Sequence, residues 1–259
     1  MLIVSWNVAG LRAMLKKEHF KEFFEKLDYD IICLQETKAE EHQVKLPDYI
    51  QENYKFRFWN SSKGTTQRKG FSGTTIWSKI EPLKMYNPDF DEEGRICVIE
   101  FEKFRVINVY VPNSQKFEND RYYFRQEWNQ KFRTFIENLK DKESIICGDL
   151  NVAHLDIDIC NPKQKKNKIA GFFDFEREDY GNFISSLDLF DVFREKNPES
   201  NKSTYWSNFL KSERTQKNGW GIDYFLTSKE IYKEINNLDI KMNILGSDHC
   251  PIVLDLNSF

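Results

Sequence analysis

Polar side chains that can bind a metal ion or a phosphate stand at the ends of apolar, strand-like runs. Asn7 follows the run LIVSW, Glu36 follows IICLQ, and His249 comes just before PIVLDL. Six separate runs end or begin in this way, and their polar residues are Asn7, Glu36, Tyr110, Asn113, Asp149, Asn151, Asp223, Asp248 and His249. If these strand ends share one rim, carboxylates, amides, a phenol and an imidazole converge on a single cleft.

The chemistry of such a cleft is set by its donor atoms. Carboxylate and amide oxygens without a thiolate are the ligands that hard cations prefer, so the set points to Mg²⁺, with Mn²⁺ as a substitute. A single Asp or Asn at the end of a strand is usually a turn former. The prediction therefore depends on the repetition of the pattern at all six runs.

The runs themselves predict the fold. Those that look like strands are Leu2–Trp6, Ile31–Leu34, Thr74–Trp77, Ile96–Phe101, Arg105–Val111, Ser144–Cys147, Ile222–Leu226 and Ile252–Leu256. Segments with helical spacing of apolar residues are Phe20–Leu27, Arg121–Lys140 and Asp179–Leu187. Polar stretches predicted as surface loops are Asn60–Gly70, Gln115–Asp120, Pro162–Lys168 and Lys211–Gly219.

Strands with interspersed helices, but without strict βαβ alternation, are typical of an α/β fold with mixed sheets. We expect a four-layer α/β sandwich, in which two mixed β-sheets pack face to face with helices outside. No internal repeat or low-complexity linker interrupts the sequence, so we expect residues 1–259 to form a single domain.

The composition narrows the class of protein. The 259 residues are 40% hydrophobic, and the net charge of −3 neither demands nor excludes nucleic acid. The five cysteines form no CxxC pair, and Cys33 and Cys147 lie in apolar runs, as expected for buried thiols of a reducing compartment. No run is long enough to span a membrane. We expect an intracellular protein without a membrane partner, nuclear in a eukaryote and cytoplasmic otherwise.

Eight motifs, spread over the whole chain, carry a resemblance. They are SWNVAGLRA at 5–13, LQETK at 34–38, GFSGT at 70–74, DEEGR at 91–95, NVYVPN at 108–113, GDLN at 148–151, NGWGIDYF at 218–225 and GSDHCPI at 246–252. In these motifs the chain resembles the exonuclease III and abasic-site (AP) endonuclease family of the endonuclease/exonuclease/phosphatase superfamily. The segments HLDID at 154–158, NPK at 161–163 and AGF at 170–172 resemble its eukaryotic-type branch.

The resemblance implies a function. It implies a Mg²⁺-dependent AP endonuclease of base excision repair, which hydrolyses the phosphodiester 5′ to an abasic site and leaves a 3′-hydroxyl. It also implies a 3′→5′ exonuclease or 3′-phosphodiesterase side activity. The implied partner is double-stranded DNA with an abasic site, and we expect a monomer.

The resemblance also assigns roles to the polar residues. The implied metal-binding residues are Asn7, Glu36, Asp149, Asn151, Asp248 and His249, with Glu36 as the principal carboxylate. The implied catalytic residues are Tyr110, Asn113, Asp149, Asn151, Asp223 and His249. Asp149 would orient or deprotonate the attacking water, and Asn151 would hold the phosphate. His249, oriented by Asp223, would contact a phosphate oxygen. Tyr110 and Asn113 would stabilise the phosphate and its leaving oxygen.

DNA contacts follow from the same resemblance. The implied residues are Arg12, Lys69, Lys116, Arg121, Asn167, Tyr205, Phe209, Trp220 and Ile222. Tyr205, Trp220 and Ile222 would line a pocket for a flipped-out sugar that lacks a base. Phe209 would act as an apolar wedge in the duplex. Apart from the resemblance, Arg125 and the basic run Lys163, Lys165, Lys166 and Lys168 are candidates for a phosphate track.

The sequence departs from the family pattern at two places, and two alternative functions remain open. Ala9 stands where an acidic or amide residue is usual, which leaves a second metal in question, and the loop Gln115–Asp120 is one residue longer than in eukaryotic-type relatives. The first alternative is a phosphodiesterase of the same superfamily that acts on undamaged DNA, RNA or a phosphoinositide. The second is a catalytically weak DNA-binding module, to which only Ala9 points.

Overall fold

The computed structural model describes residues 1–26, 28–64, 70–207, 214–215 and 217–257, and Leu27 of the predicted helix therefore lies outside the described residues. The described residues form twelve strands: β1 (Leu2–Asn7), β2 (Ile31–Gln35), β3 (Phe56–Asn60), β4 (Thr74–Ser78), β5 (Lys84–Tyr86), β6 (Ile96–Glu100), β7 (Phe104–Tyr110), β8 (Glu143–Asp149), β9 (Phe190–Asp191), β10 (Asp223–Thr227), β11 (Ile235–Ile240) and β12 (Ile252–Leu256). They also form the helices α1 (Leu11–Met14), α2 (Glu18–Lys26), α3 (Asp48–Asn53), α4 (Asp120–Glu137), α5 (Pro162–Lys165), α6 (Asp174–Ser186), α7 (Val192–Lys196) and α8 (Lys229–Lys233). Short 3-10 turns lie at Glu41–Gln43 and Asp156–Asp158.

The strands make two six-stranded sheets of similar design. The first has the order β11-β12-β1-β2-β4-β3, and the second has the order β5-β6-β7-β8-β10-β9. Each sheet contains one parallel pair, β1 with β2 and β7 with β8, and each pair is flanked by antiparallel strands. The carboxyl ends of a parallel pair lie at one edge, and an antiparallel neighbour brings its amino end there. The ends of β1, β2, β7 and β8 therefore lie with the starts of β12 and β10.

The inner faces of the two sheets pack against each other in one apolar core. Ile3, Ile31 and Cys33 of the first sheet share this core with Cys147 and Phe225 of the second, and all five are fully buried. The buried thiols of Cys33 and Cys147 agree with their position in apolar runs, and both cysteines are free.

Helices cover the outer face of each sheet. Trp6 of β1 stacks on Phe20 of α2 with ring centroids 5.9 Å apart. On the other sheet, Trp128 and Phe132 of α4 share an apolar cluster with Leu226 of β10. Burying a large apolar side chain contributes roughly 1.5–3 kcal/mol, so these outer layers are a main source of stability. The predicted four-layer α/β sandwich is confirmed.

The strands missed by the sequence analysis share one property. All eight predicted strands are present, with ends within two residues of the prediction. The missed strands β3, β5, β9 and β11 are the edge strands of the two sheets. An edge strand has a neighbour on one side only, so it needs no continuous apolar run. Two predictions were also wrong in detail, because α6 begins at Asp174 and α5 lies inside the stretch 162–168 that was predicted as a loop.

One buried polar contact joins the two sheets just below the ends of β2 and β7. Gln35 of β2 donates from Nε2 to Oδ1 of Asn108 on β7, at 2.7 Å. Asn108 in turn donates to the carbonyl oxygens of Leu34 and Thr75, at 2.9 Å each. Both amides are fully buried. Because the bond joins buried side chains of β2 and β7, it restricts how the two sheets sit on each other.

Gly148 of β8 is a position where only glycine fits. Its φ is +142°, and an added Cβ would lie 1.9 Å from the carbonyl oxygen of Val109 on β7. We expect Gly148→Ala to lower the free energy of unfolding by about 3 kcal/mol, because the parallel pair must separate to admit the methyl group. Urea denaturation measures the loss.

Gly221→Ala is the matched control for this prediction. An added Cβ at Gly221 would meet no atom closer than 3.6 Å among the described residues. Its free energy of unfolding should stay within about 1 kcal/mol of the wild-type value. Equal losses in the two variants would contradict the steric argument.

Candidate active site

The polar strand ends meet in a cleft of about 350 Å³ at the shared edge of the two sheets. Its lining consists of Glu36, Tyr110, Asn113, Asp149, Asn151, Ala170, Gly171, Tyr205, Ser207, Trp220, Ile222, Asp248 and His249. Seven of the nine polar residues singled out at the strand ends are in this lining. The other two, Asn7 and Asp223, are buried behind it, and each hydrogen-bonds a residue that lines it.

Asp149 lies at the end of β8 and is almost completely buried. Asn7 donates from Nδ2 to its Oδ2 at 2.9 Å, and the backbone N–H of Asn151 donates to its Oδ1 at 2.9 Å. Burial raises the pKa of Asp149 to about 7, although the charge of His249 opposes the shift. A fixed carboxyl group with a pKa near neutrality is suited to accepting a proton from water.

His249 is held between two carboxylates. Its Nδ1 lies 2.8 Å from Asp223 Oδ2, and its Nε2 lies 3.7 Å from Asp149 Oδ2. Burial by itself would lower the pKa of His249, but the charges of Asp223 and Asp149 outweigh it and raise the pKa to about 10. The imidazole is therefore charged at neutral pH and presents an N–H toward Asp149 and the cleft.

Two amides form a connected pair on the cleft wall. Asn113 donates from Nδ2 to Asn151 Oδ1 at 3.0 Å, and Asn151 donates from Nδ2 to the carbonyl oxygen of Val111 at 2.8 Å. The backbone N–H of Gln115 donates to Asn113 Oδ1 at 2.8 Å. These backbone partners fix which end of each amide is oxygen. Each NH₂ group keeps one N–H outside these bonds, so the pair has donors for an anion.

Arg125 of α4 holds the two loops that carry this amide pair. It donates to the carbonyl oxygens of Pro112 and Leu150 at 2.5 and 2.9 Å, and to Asn129 Oδ1 at 2.8 Å. Only 2% of Arg125 is exposed. Its predicted place on a phosphate track was wrong, because helix α4 turns this side chain inward.

Tyr110 lies at the end of β7 under a second guanidinium. Arg95 Cζ lies 4.7 Å from the centroid of its ring, and Arg95 donates to its carbonyl oxygen at 2.9 Å. Burial raises the pKa of Tyr110 well above its ordinary value, and the charge of Glu36 adds to the shift. The phenol therefore stays protonated and can donate a hydrogen bond. Sequence reasoning missed Arg95, although the DEEGR motif contains it.

Aromatic rings form one wall of the cleft. Tyr205 and Trp220 meet edge to face with centroids 6.0 Å apart, and Tyr205 lies 4.8 Å from the ring of His249. Lys165 Nζ lies 4.8 Å from the ring of Trp220 and 2.8 Å from Cys160 Sγ. The rings thus form an apolar compartment directly beside the charged centre. Lys165 lies in the polar stretch Pro162–Lys168, and the sequence did not predict its position against Trp220.

The remaining predicted DNA contacts have mixed surroundings. Arg12 and Lys116 are exposed, and Arg12 donates to the carbonyl oxygen of Lys38 at 3.4 Å. Arg121 is mostly buried and binds both oxygens of Glu93, at 2.7 and 3.1 Å.

Asn167 is exposed, but both ends of its amide bond Asp174, at 2.7 Å each. Lys69 and Phe209 lie outside the described residues.

Comparison with known proteins assigns the family. The model of the endonuclease/exonuclease/phosphatase family matches residues 4–249. This chain belongs to that family. The chain is 39% identical to an exodeoxyribonuclease of Bacillus subtilis over 99% of its own length and 100% of the relative. It is 38% identical to a DNA-(apurinic or apyrimidinic site) endonuclease of Dictyostelium discoideum over 99% of its own length and 71% of the relative.

Structural comparison agrees with the family. The fold matches an AP endonuclease from Archaeoglobus fulgidus with a TM-score of 0.87 and 25% identity, over the full length of both chains. The bacterial and eukaryotic relatives are almost equally similar to this chain in sequence, at 39% and 38% identity. In this chain, Ala9 has a positive φ of 49° and donates its N–H to Asn7 Oδ1 at 3.0 Å.

The raised pKa of His249 predicts its charge in solution. At pH 8 the imidazole of His249 should remain protonated, whereas His154, whose pKa burial lowers, should be neutral. Because the pKa is higher in the folded state, stability from the His249–Asp223 pair is fully present below pH 6.5 and lost as pH rises through about 10. An NMR titration of the imidazole Cε1–H signals measures both residues.

Asp223→Asn supplies the comparison for this titration. Removing that carboxylate should lower the pKa of His249, since the Asp223 charge is the largest influence that raises it. A wild-type His249 that loses its proton below pH 7 would contradict the assignment.

Proposed function

We propose that this chain is a DNA repair nuclease that hydrolyses the phosphodiester 5′ to an abasic site and leaves a 3′-hydroxyl. The observation that carries the proposal is the placement of the acid, imidazole and amide groups beside a ring-walled compartment in one cleft. Relatives named as an exodeoxyribonuclease and an AP endonuclease support the same class of reaction. The exodeoxyribonuclease also supports an exonuclease side activity, for which we propose the 3′→5′ direction or a 3′-phosphodiesterase reaction.

We further propose Mg²⁺ as the cofactor, with Mn²⁺ as a substitute, and Glu36 and Asp248 as its carboxylate ligands. Both line the cleft, and Mg²⁺ typically takes one or two carboxylates. Glu36 also pairs with a cationic side chain, since Lys38 Nζ lies 2.7 Å from Glu36 Oε1. When bound, the metal supplies positive charge to the phosphate oxygens.

A second cluster is close enough for a metal but is better suited to contact the substrate. The ligand atoms of Asp149, Asp223 and His249 lie within 4.8 Å of one another. A charged imidazole has no lone pair to give to a metal, and Nδ1 is engaged by Asp223. We therefore assign these residues to proton transfer and phosphate binding. Asn7, which is fully buried, supports Asp149.

Asp149 is the group that orients the attacking water and takes its proton. The bonds from Asn7 and from the Asn151 backbone hold the carboxyl group in one orientation. This arrangement lowers the entropic cost of aligning a water with the phosphorus. Its pKa of about 7 lies near neutral pH, so the carboxyl group can both take a proton from the water and release it again.

The remaining groups stabilise the charge that develops on the phosphate. His249 offers a charged N–H, and Asn113 and Asn151 offer one amide N–H each. Tyr110, whose phenol stays protonated, can donate to the leaving oxygen. Donors that are fixed before the reaction are effective because they need no reorganisation in the transition state.

The ring-walled compartment supports selection of abasic DNA. The walls from Tyr205, Trp220 and Ile222 are mostly apolar and offer little hydrogen bonding to a base edge. A nucleotide without a base costs less to flip out of the duplex than an intact one. The compartment should therefore accept the abasic sugar and disfavour an intact nucleotide.

A nicking time course tests the proposal. We expect Mg²⁺-dependent cutting of a duplex with one tetrahydrofuran abasic analogue, at least about 100-fold faster than cutting of an undamaged duplex, and no cutting in EDTA. Glu36→Gln keeps the shape but removes the charge, so its rate should fall by about 100-fold or more. Trp220→Ala should reduce the preference for the abasic duplex in the same assay.

Glu102→Gln is the control for the loss of charge, since Glu102 is exposed and does not line the cleft. Its rate should equal that of the wild type. Full activity in EDTA, or equal rates on the two duplexes, would reject the metal requirement or the abasic preference respectively.

The clamp made by Arg125 generates a separate prediction. Arg125→Lys keeps the charge but cannot reach Pro112 and Leu150 together, so the loops of Asn113 and Asn151 should shift. We expect kcat to fall by about 10–100-fold with KM nearly unchanged, because small misplacement of catalytic groups is costly. In an Asn151→Ala background the same substitution should cost much less, since residues acting as a unit are non-additive.

Arg105→Lys is the matched control for the clamp. Arg105 is 1% exposed and binds the carbonyl oxygen of Leu139 and the carboxylate of Asp141, near the opposite end of β7. It should lose stability without loss of kcat. Additive losses of kcat for Arg125 and Asn151 would mean that Arg125 does not act through the loop of Asn151.

A further inference from the structure

Five aromatic rings form a connected cluster beside the cleft, which we call the aromatic patch. Its members are Phe117, Tyr122, Tyr123, Phe173 and Phe175. Five pairs of these rings meet edge to face with centroids 4.5–5.7 Å apart, and Phe173 and Phe175 stack at 6.2 Å. Phe117 and Tyr123 are 55% and 52% exposed. Single exposed apolar residues need no explanation, but a cluster of this kind indicates a binding surface.

The patch has a rigid base. Phe173 is 2% exposed, and it supports Phe117 at 5.6 Å and Tyr122 at 5.7 Å. Tyr122 also lies 4.5 Å from Phe175 in the first turn of α6. Asn119 caps α4 by accepting from the backbone N–H of Tyr122 at 2.9 Å. The rings are therefore held by the starts of two helices.

The loop that carries Phe117 has an unusual backbone. Gln115 and Glu118, on either side of Lys116 and Phe117, have positive φ values of 59° and 54°. Non-glycine residues rarely adopt this conformation, and it persists where the surroundings enforce it. One enforcing contact is the bond from the Gln115 N–H to Asn113 Oδ1, at 2.8 Å. The loop thus presents Phe117 outward instead of burying it.

The patch is connected to the phosphate-binding wall of the cleft. Asn113 lines the cleft four residues before Phe117, and Gly171 lines it two residues before Phe173. The two segments are joined by the hydroxyl of Ser114, which donates to Glu176 Oε1 at 2.5 Å. The patch therefore begins where the proposed phosphate donors end.

We propose that the aromatic patch is a stacking subsite for nucleobases of the strand that enters the cleft, an inference that rests on the proposed function. Stacking on aromatic rings is tolerant of sequence, since every base has an aromatic face. Lys116, exposed beside Phe117, supplies a charge for the adjoining phosphate. A base is available for stacking where it is unpaired, so the subsite favours single strands and opened or frayed duplex next to the cut bond.

Binding of fluorescent DNA tests the subsite without any cutting. The probe is a single-stranded oligonucleotide with 2-aminopurine at successive positions beside a tetrahydrofuran residue, in EDTA. Stacking on the patch should change the fluorescence at a defined position. Phe117→Ala should abolish that change and weaken binding about tenfold, equivalent to about 1.4 kcal/mol.

Three variants separate stacking from simple apolar contact. Phe117→Trp keeps a ring and should bind as the wild type does, whereas Phe117→Leu keeps an apolar side chain without a ring and should behave as Phe117→Ala. Leu83→Ala removes a side chain that is 69% exposed and outside the patch, and should change nothing. Thermal unfolding checks that the variants are folded.

Two results overturn the proposal. The first is that Phe117→Ala keeps the wild-type affinity and fluorescence, which would leave the patch to a protein partner. The second is that Phe117→Leu behaves as the wild type does. If the wild type nevertheless nicks the abasic duplex with Mg²⁺, the proposed function stands and only the subsite fails. A wild type that neither nicks the duplex nor binds the probe would instead reject both.

Discussion

The buried amide pair of Gln35 and Asn108 is the contact on which the catalytic edge depends. It lies between the sheets, one residue before Glu36 and two before Tyr110, so it sets the position of both strand ends. The two parallel pairs supply the rest, because each brings two carboxyl ends to the same edge. A shift between the sheets would break the buried bond from Gln35 Nε2 to Asn108 Oδ1. The geometry of the cleft is therefore a consequence of how the sandwich is assembled.

The same burial that makes the site costly also gives it its chemistry. Asp149 and His249 are both at least 96% buried, where an isolated charge is strongly disfavoured. Hydrogen bonds from Asn7 and the Asn151 backbone, together with the Asp223 carboxylate, offset this cost. The result is an acid with a raised pKa beside an imidazole that is charged at neutral pH. Such paired perturbations are common at catalytic sites, because low polarity strengthens every interaction within them.

Guanidinium groups satisfy the backbone carbonyl oxygens near the site, as hydrogen bonds between strands do within the sheets. Arg125 binds the carbonyl oxygens of the loops after β7 and β8, and Arg95 binds that of Tyr110. Arg214 donates to the carbonyl oxygen of Ile244, in the loop that leads to Asp248. Loops that carry functional side chains have no neighbouring strand to satisfy their carbonyls. A planar group with several donors can bind more than one of them at once.

The order of the amino acids was enough to locate the central strands and the types of donor at their ends. Apolar runs with polar ends depend on local order, so Asp149, Asn151 and His249 were recognisable without coordinates. Features that depend on contacts between distant parts of the chain became known only from the folded structure. It placed the edge strands, sent Asn7 and Asp223 behind the cleft, and turned Arg125 inward. Burial and proton affinity arise from contacts between residues far apart in sequence, and a local pattern carries no measure of them.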